Sequence, residues 1–281
     1  TASISLGVTD LSGVTTYHNN ISRNGSNTQE YALTTSLVNS ASFGKLFSCA
    51  VDGAVYAQPL WMPAVNIGGV SHNVIYVATQ HDSLYAFDAD RNASPCAPLW
   101  HANLIDSAHG ATMGEVTVPS CGSGSLVGSG YGDICPEVGV TGTPVIDPTT
   151  GTLYVVSKAV ITTGPTFYQR LHAIDIATGN EKFSGPALIS GTFPGKGDGG
   201  TTDTFQARYQ NQRGGLALAN GTVYVAWASH EDAKPYYGWG MRFNASNLAQ
   251  SAVLNVTPDS QYGGIWMGGG DRKSTRLNSS H

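Results

Sequence analysis

The sequence predicts an all-β fold: a β-propeller of four-stranded antiparallel blades, incomplete, with about three blades and the start of a fourth. Three observations predict it. Residues 74–90, VIYVATQHDSLYAFDAD, hold two short apolar runs, 74–78 and 84–87, parted by a polar break at 80–83. The same plan returns at 152–157 (TLYVVS) with 170–175 (RLHAID), and at 222–228 (TVYVAWA) with 240–244 (GMRFN). An internal period of this kind decides the architecture before any single element does. Finally, the chain of 281 residues carries 35 glycines and only 12% charged residues, a mix that suits many turns and few solvated helices.

Tyr, Val and Ile in these runs fit a pleated, half-buried surface. Each unit closes on an Asx residue, Asp88, Asp175 or Asn244, whose side chain folds back on its own backbone in a turn. Residues 1–13 are polar and read as a frayed start. The first unit then predicts strands at 55–62, 73–79, 82–88 and 98–102. The second predicts 141–147, 152–157, 169–175 and 180–184, and the third 214–219, 222–228, 238–244 and 250–256. Residues 263–267 read as the first strand of a fourth. The blades are thus expected at about 51–102, 140–190 and 213–257, the next beginning at about 263, all within a partial propeller over 1–270.

The net charge of −5 argues against a nucleic-acid surface. No apolar run approaches the roughly 18 residues of a membrane span, so no transmembrane segment is predicted. Cys121 and Cys135 bracket a Gly/Ser-rich loop, CGSGSLVGSGYGDIC, where a disulfide would restrain an otherwise loose insertion. Cys49 and Cys96 pair only if their strands are neighbours. No C-x-x-C or Cys/His cluster suggests zinc, and no metal site is assigned. The last stretch, 271–281 (DRKSTRLNSSH), breaks the apolar rhythm and reads as the translation of a sequencing adapter. The natural chain is therefore expected to continue past Gly270.

The repeats resemble the pyrroloquinoline-quinone (PQQ)-type, quinoprotein-like β-propeller family, with its h-Y-V…L-Y-A-h-D-x-x-T-G-x-x-h-W core. Tyr76, Leu84, Tyr85, Ala86, Asp88 and Trp100 carry the match in the first repeat; Tyr154, Leu171, Ala173, Asp175, Thr178, Gly179 and Phe183 carry it in the second. The third departs, with Asn244 for the Asp and no aromatic in 250–253. The run Tyr17–Gly25, then Leu33-Thr34, Leu37-Val38 and Phe43–Phe47, resembles the leading segment of the same propellers. This likeness implies a bacterial secreted or periplasmic (cell-envelope) protein. Its first reading is a binding or scaffold module, with a small molecule or a protein as partner; some propellers of this repeat type serve envelope assembly. The alternative it implies is a dehydrogenase of alcohols or sugars using PQQ and calcium. The vicinal Cys-Cys pair that such enzymes pack on the quinone is absent.

Strand order places the connections at 103–140, 158–168, 191–213 and 229–237 on one face, here called the top, while the opposite turns are mostly short, 63–72 excepted. Loops that lengthen on one face of a rigid scaffold usually carry function. The top face gathers Gln58, His81, Asp82, Glu137, Gln212, Arg213 and His230, with Glu231 and Asp232 beside the last. Among these, Gln58, Glu137, Gln212 and Arg213 are expected to converge on the central channel. There their oxygens suit a hard cation such as Ca²⁺ and the Arg suits a carboxylate. Quieter readings stand beside these: His81-Asp82 as a hydrogen-bonded turn, Glu137 paired with Arg213, Arg170 in a structural ion pair, and His172 as a satisfied core histidine. Trp100, Trp227, Trp239 and Trp266 are read as packing between blades.

Overall fold

The computed structural model describes residues 11–41, 43–91, 96–128 and 130–266. Among these there is no α-helix, only strands and two short 3-10 turns. Sheet I is an antiparallel meander of β1 (Leu60–Ile67), β2 (Val70–Ala78), β3 (Ser83–Asp88) and β4 (Trp100–Asn103). An insertion follows, carrying β5 (Glu115–Pro119) and β6 (Glu137–Val138). Sheet II comprises β7 (Val145–Asp147), β8 (Thr152–Ile161), β9 (Thr166–Asp175) and β10 (Ala187–Leu188); β7 pairs with the first residues of β8 and β5 with its last. A hairpin of β11 (Thr192–Pro194) and β12 (Thr202–Thr204) leads to β13 (Gln210–Asn211). Sheet III is β14 (Ala217–Ala219), β15 (Thr222–Ala226), β17 (Trp239–Asn244) and β18 (Gln250–Asn255); β16 (Ala228–Ser229) leaves it to pair with β13.

Alternation along each strand sends one set of side chains forward and the other back. Forward from sheet I go Tyr76, Leu84 and Ala86, meeting Leu153, Val155 and Ile174 from the back of sheet II. Forward from sheet II go Tyr154, Leu171 and Ala173, meeting Val223, Val225, Trp227 and Phe243 of sheet III. A polar latch repeats with this packing. The Tyr76 hydroxyl donates to the Ile176 carbonyl at 3.0 Å, and the Tyr154 hydroxyl to the Ala245 carbonyl at 2.6 Å. Each acceptor is the residue just after the third long strand of the next sheet. Burial pushes the Tyr154 hydroxyl pKa up to about 12, with Asp147 adding to it, so both latches stay protonated donors.

A segment from the start of the chain ties the three sheets together. Val14 bridges Trp61 of sheet I, the Thr15 carbonyl accepts from the Ile146 amide at 2.8 Å, and Arg23 donates to the Leu216 carbonyl at 2.7 Å. Gly215 is required where this segment passes, since a Cβ there would lie 2.8 Å from that of Tyr17.

Several expected boundaries move. Residues 63–72 are no lower loop: β1 and β2 run on as one hairpin to the turn at Gly68 and Gly69, both at positive φ, past a bulge between Met62 and Val65. Residues 158–168 likewise belong to the long β8–β9 hairpin. The fourth strand of sheet II is β10, with a lone bridge from Glu181 to Ile174 in place of a strand at 180–184. Residues 263–266 form no strand; Ile265 makes one backbone bond, to the Trp227 carbonyl at 2.9 Å. Met267, the 271–281 tail and residues 1–10 lie outside the described residues.

The forward face of sheet III has no covering sheet among the described residues. Tyr224, in register with Tyr76 and Tyr154, is 42% exposed above a hollow of about 350 Å³. Gly240 stands where sheets I and II have Leu84 and Leu171, and Arg242 where they have Ala86 and Ala173. An uncovered apolar face attracts partners. The double substitution Tyr224→Ser, Leu254→Ser is expected to lower the binding of a hydrophobic dye and the concentration-dependent association of the chain, both read by fluorescence and light scattering. Unchanged values in the double variant contradict this.

Candidate functional site

At the top of sheet II a lysine is buried. Lys158 continues the apolar run of β8, so its stem lies in the core and its amine must find acceptors there. It has them: Nζ donates to the carbonyls of Arg208 at 2.9 Å and Gln210 at 3.1 Å, and to Nε2 of His230 at 2.6 Å. His230 is therefore neutral, with its proton on Nδ1. Burial pulls the Lys158 pKa down to about 7, with nearby Asp82 opposing, and holds His230 well below its ordinary range. Asp82 is itself buried. Its Oδ1 accepts from the Lys158 amide at 3.2 Å, and desolvation raises its pKa well above a usual carboxylate.

The other expected site residues separate into three groups. His81 and Asp82 do form a turn, with the Asp82 amide bonded to the Thr79 carbonyl at 3.2 Å. Glu137 faces away from Arg213: its Oε1 accepts from His81 Nδ1 at 2.9 Å and its Oε2 from Thr117 at 2.5 Å. The expected Glu137–Arg213 pair is thus replaced, because Glu137 on β6 is drawn to β5 and the 80–83 turn. Gln58 is half-buried at the start of sheet I, where its Oε1 accepts from the His18 amide at 3.0 Å. Gln212 is buried, its Nε2 donating to the Gly214 carbonyl. Gln58, Glu137 and Gln212 thus each have a bonded partner of their own, while the Gln212 Oε1 is buried without one among the described residues. Among the described residues no three His, Cys, Asp or Glu side chains are placed to hold a metal ion. Away from the top face, Arg170 makes a bidentate ion pair with Glu115, both contacts at 2.6 Å. His172 sits between Ser157 and Glu181 in the core.

Arg213 belongs to a cavity of about 220 Å³ at the top, near the axial segment. Its walls come from two sources. From sheet III and its approach come Asn211, Arg213, Glu231 and Trp266; from the insertion come Tyr131 and Asp133, with Tyr56 alongside. The insertion holds its shape through the Cys121–Cys135 disulfide and a small core of its own, in which Val127, Tyr131 and Ile134 pack on Val118, Val138 and Val160. Arg208 fastens it to sheet III by donating to the Leu126 carbonyl at 2.7 Å. The second disulfide, Cys49–Cys96, is also formed, joining two segments that lie outside the strands. Tyr131 stands edge-on to His230, ring centroids 5.0 Å apart, and so separates the buried Lys158 cluster from the cavity. Lys158 holds the Gln210 carbonyl, and the next residue, Asn211, reaches the cavity wall with its buried Oδ1 unpartnered among the described residues. Sequence reasoning missed Lys158, Asn211, Tyr56, Tyr131 and Asp133. A lone lysine inside VVSKAVI was the one available signal.

Neither a family model nor a curated protein matches the chain. Solved structures do, at low similarity. The quinohemoprotein alcohol dehydrogenase from Comamonas testosteroni shares 13% identity at a TM-score of 0.32, over 74% of this chain and 36% of that one. A quinohemoprotein alcohol dehydrogenase from Pseudomonas putida HK5 shares 14% at 0.31, over 75% of this chain and 35% of that one. BamB from Moraxella catarrhalis shares 14% at 0.21, over 75% of each chain. The chain therefore spans only about a third of the two dehydrogenases it aligns with.

Two outcomes are expected from this site. Lys158 and His230 both hold fewer protons folded than unfolded, so each makes stability rise with pH: His230 as pH climbs toward 6.5, Lys158 from about 7 toward 10.5. Asp82 acts in the opposite sense above 3.8. The difference in unfolding free energy between wild type and Lys158→Met, measured at several pH values between 7 and 10, should therefore tilt in favour of wild type as pH rises; a flat difference excludes a depressed Lys158. Replacing Cys121 and Cys135 by Ser reopens a loop with a sequence separation of 14. A loss of about 3 kcal/mol is expected in denaturant unfolding, and a loss under 0.5 kcal/mol would mean that the insertion's own core suffices.

Proposed function

We propose that the chain is a PQQ-like β-propeller repeat protein, secreted or periplasmic, whose three sheets are successive blades and whose top face is a binding or scaffold surface. The repeated latch from Tyr76 and Tyr154 supports the blade reading: two consecutive sheets meet through the same hydroxyl, the same turn carbonyl and the same register of apolar residues. Such repetition generates a fan of sheets about a common axis, and the segment from Val14 to Arg23 touches all three. Two disulfides fit an oxidising compartment.

The observation that carries the functional reading is the axial cavity. It is concave, aromatic-lined and set between a braced insertion and a rigid sheet, the usual setting of a small-molecule site. We read its chemistry as binding, since aromatic rings, two carboxylates and a guanidinium together suit recognition of a small molecule. The Ser157–His172–Glu181 chain has a triad's order of contacts, but Ser157 and His172 are sealed between sheets with 1% and 0% exposure. A protein partner on the same face is the scaffold form of this reading, with the insertion as its contact.

Screening small molecules for thermal stabilisation, with Trp266 fluorescence as a second readout, tests this. A ligand of the cavity is expected to stabilise the wild type and to lose its effect on Tyr131→Ala, which removes a buried wall without touching the Lys158 bonds. Tyr131 also shields the His230 ring and packs in the insertion's core, so the comparison is made on a variant whose circular dichroism matches wild type; ligands that stabilise Tyr131→Ala equally would place the binding surface elsewhere.

A further inference from the structure

We infer that the axial cavity takes a small organic cation, a protonated primary or secondary amine carrying an apolar or aromatic group. This ligand class rests on the binding reading above. Three aromatic rings, Tyr56, Tyr131 and Trp266, form the walls of the cavity of about 220 Å³. Two carboxylates, Asp133 and Glu231, stand at its edge against one guanidinium, Arg213, leaving the lining with an excess of one negative charge. Both carboxylates lie close enough to raise the Tyr131 hydroxyl pKa, after the larger effect of its burial. Ring faces attract cations through their quadrupole, most strongly when water is excluded. An anion would meet two carboxylates, and a neutral aromatic would leave their field unused.

A further observation selects an amine bearing N–H. Asn211 is 4% exposed, its Oδ1 is buried without a partner among the described residues, and it lines the cavity. A buried carbonyl oxygen left unbonded destabilises the site it lines. An ammonium N–H directed at it removes that cost, whereas a quaternary ammonium has no proton to offer. Arg213 is then the internal competitor for the carboxylates. It is exposed, its side chain bonds no partner among the described residues, and its removal deepens the negative potential.

Three isosteric probes test this: benzylammonium, benzyl alcohol and benzoate, titrated into the full chain at neutral pH by calorimetry and by Trp266 fluorescence. Benzylammonium is expected to bind saturably and at least about tenfold more tightly than benzoate, a difference of about 1.4 kcal/mol. Asp133→Asn and Glu231→Gln, which preserve shape, should each weaken it several-fold, and Arg213→Gln should tighten it. Equal or tighter binding of benzoate, no change in the carboxylate variants, or loss of binding in Arg213→Gln would each overturn the assignment. If benzyl alcohol or benzoate binds instead and loses affinity in Tyr131→Ala, the cavity remains the binding site and only the cation is excluded. Should none of the three saturate the protein, the cation assignment and the binding reading both fail. Circular dichroism and melting curves matched to wild type qualify each variant for the comparison.

Discussion

Much of the top of this molecule depends on one amine finding three acceptors. Lys158 is fixed in the core by its place in a ten-residue strand, and an unsatisfied charge there would cost several kcal/mol. The two carbonyls and the imidazole that receive it come from two separate stretches after sheet II, at residues 208 and 210 and at residue 230. Satisfying the cation therefore dictates where β13 lies and which tautomer His230 adopts. It also dictates where Asn211, one residue on, meets the cavity. Gln80 plays the neutral version of the same part four residues past Tyr76, just as Lys158 follows Tyr154. Its amide bonds the Val140 carbonyl at 2.8 Å and the Gly139 amide at 3.0 Å, fastening sheet I to the start of sheet II. In sheets I and II a polar side chain at this register stitches the sheet to the approach of the next, whereas sheet III has Ala228 there.

Much of this plan was legible in the sequence. Tyr76, Tyr154 and Tyr224 stand out because a period-2 apolar pattern ending on an Asx turn is local information, and the third strands at Asp88, Asp175 and Asn244 ended where it placed them. Hairpin lengths were not legible. His72 and Lys158 interrupt the apolar pattern, and so read as loop. In the structure their partners lie across the hairpin or beyond the sheet: His72 with Asp88, Lys158 with the Arg208 and Gln210 carbonyls. A polar residue that is satisfied at long range cannot be told from a solvated one by pattern alone. For the same reason the top-face list contained Asp82, Gln212, Arg213 and His230 but joined Glu137 to the wrong partner. Which charges meet is set by the path of an insertion whose course depends on its own small core.

The three sheets are not equal. Sheets I and II bury a leucine and an alanine on their forward faces, and sheet III offers Gly240 and Arg242 at those registers. Whatever covers this face must supply volume where the glycine leaves room and an acceptor for the guanidinium. Tyr224 keeps its hydroxyl ready for the same kind of turn carbonyl that its counterparts bond. The interface is thus conserved in its polar latch and altered in its apolar floor, so a generic copy of sheet II would not fit it.

The bond from Arg23 to the Leu216 carbonyl joins residues 193 positions apart. A ribosome delivers the arginine long before its acceptor exists, and until then the segment that carries it has only sheets I and II to lean on. Closing so long a span is entropically slow. Early in synthesis the nascent chain is thus a lone meander with an untethered leader. The bond from Arg23 forms only once the approach to sheet III has emerged, so the strap across the three sheets is completed late.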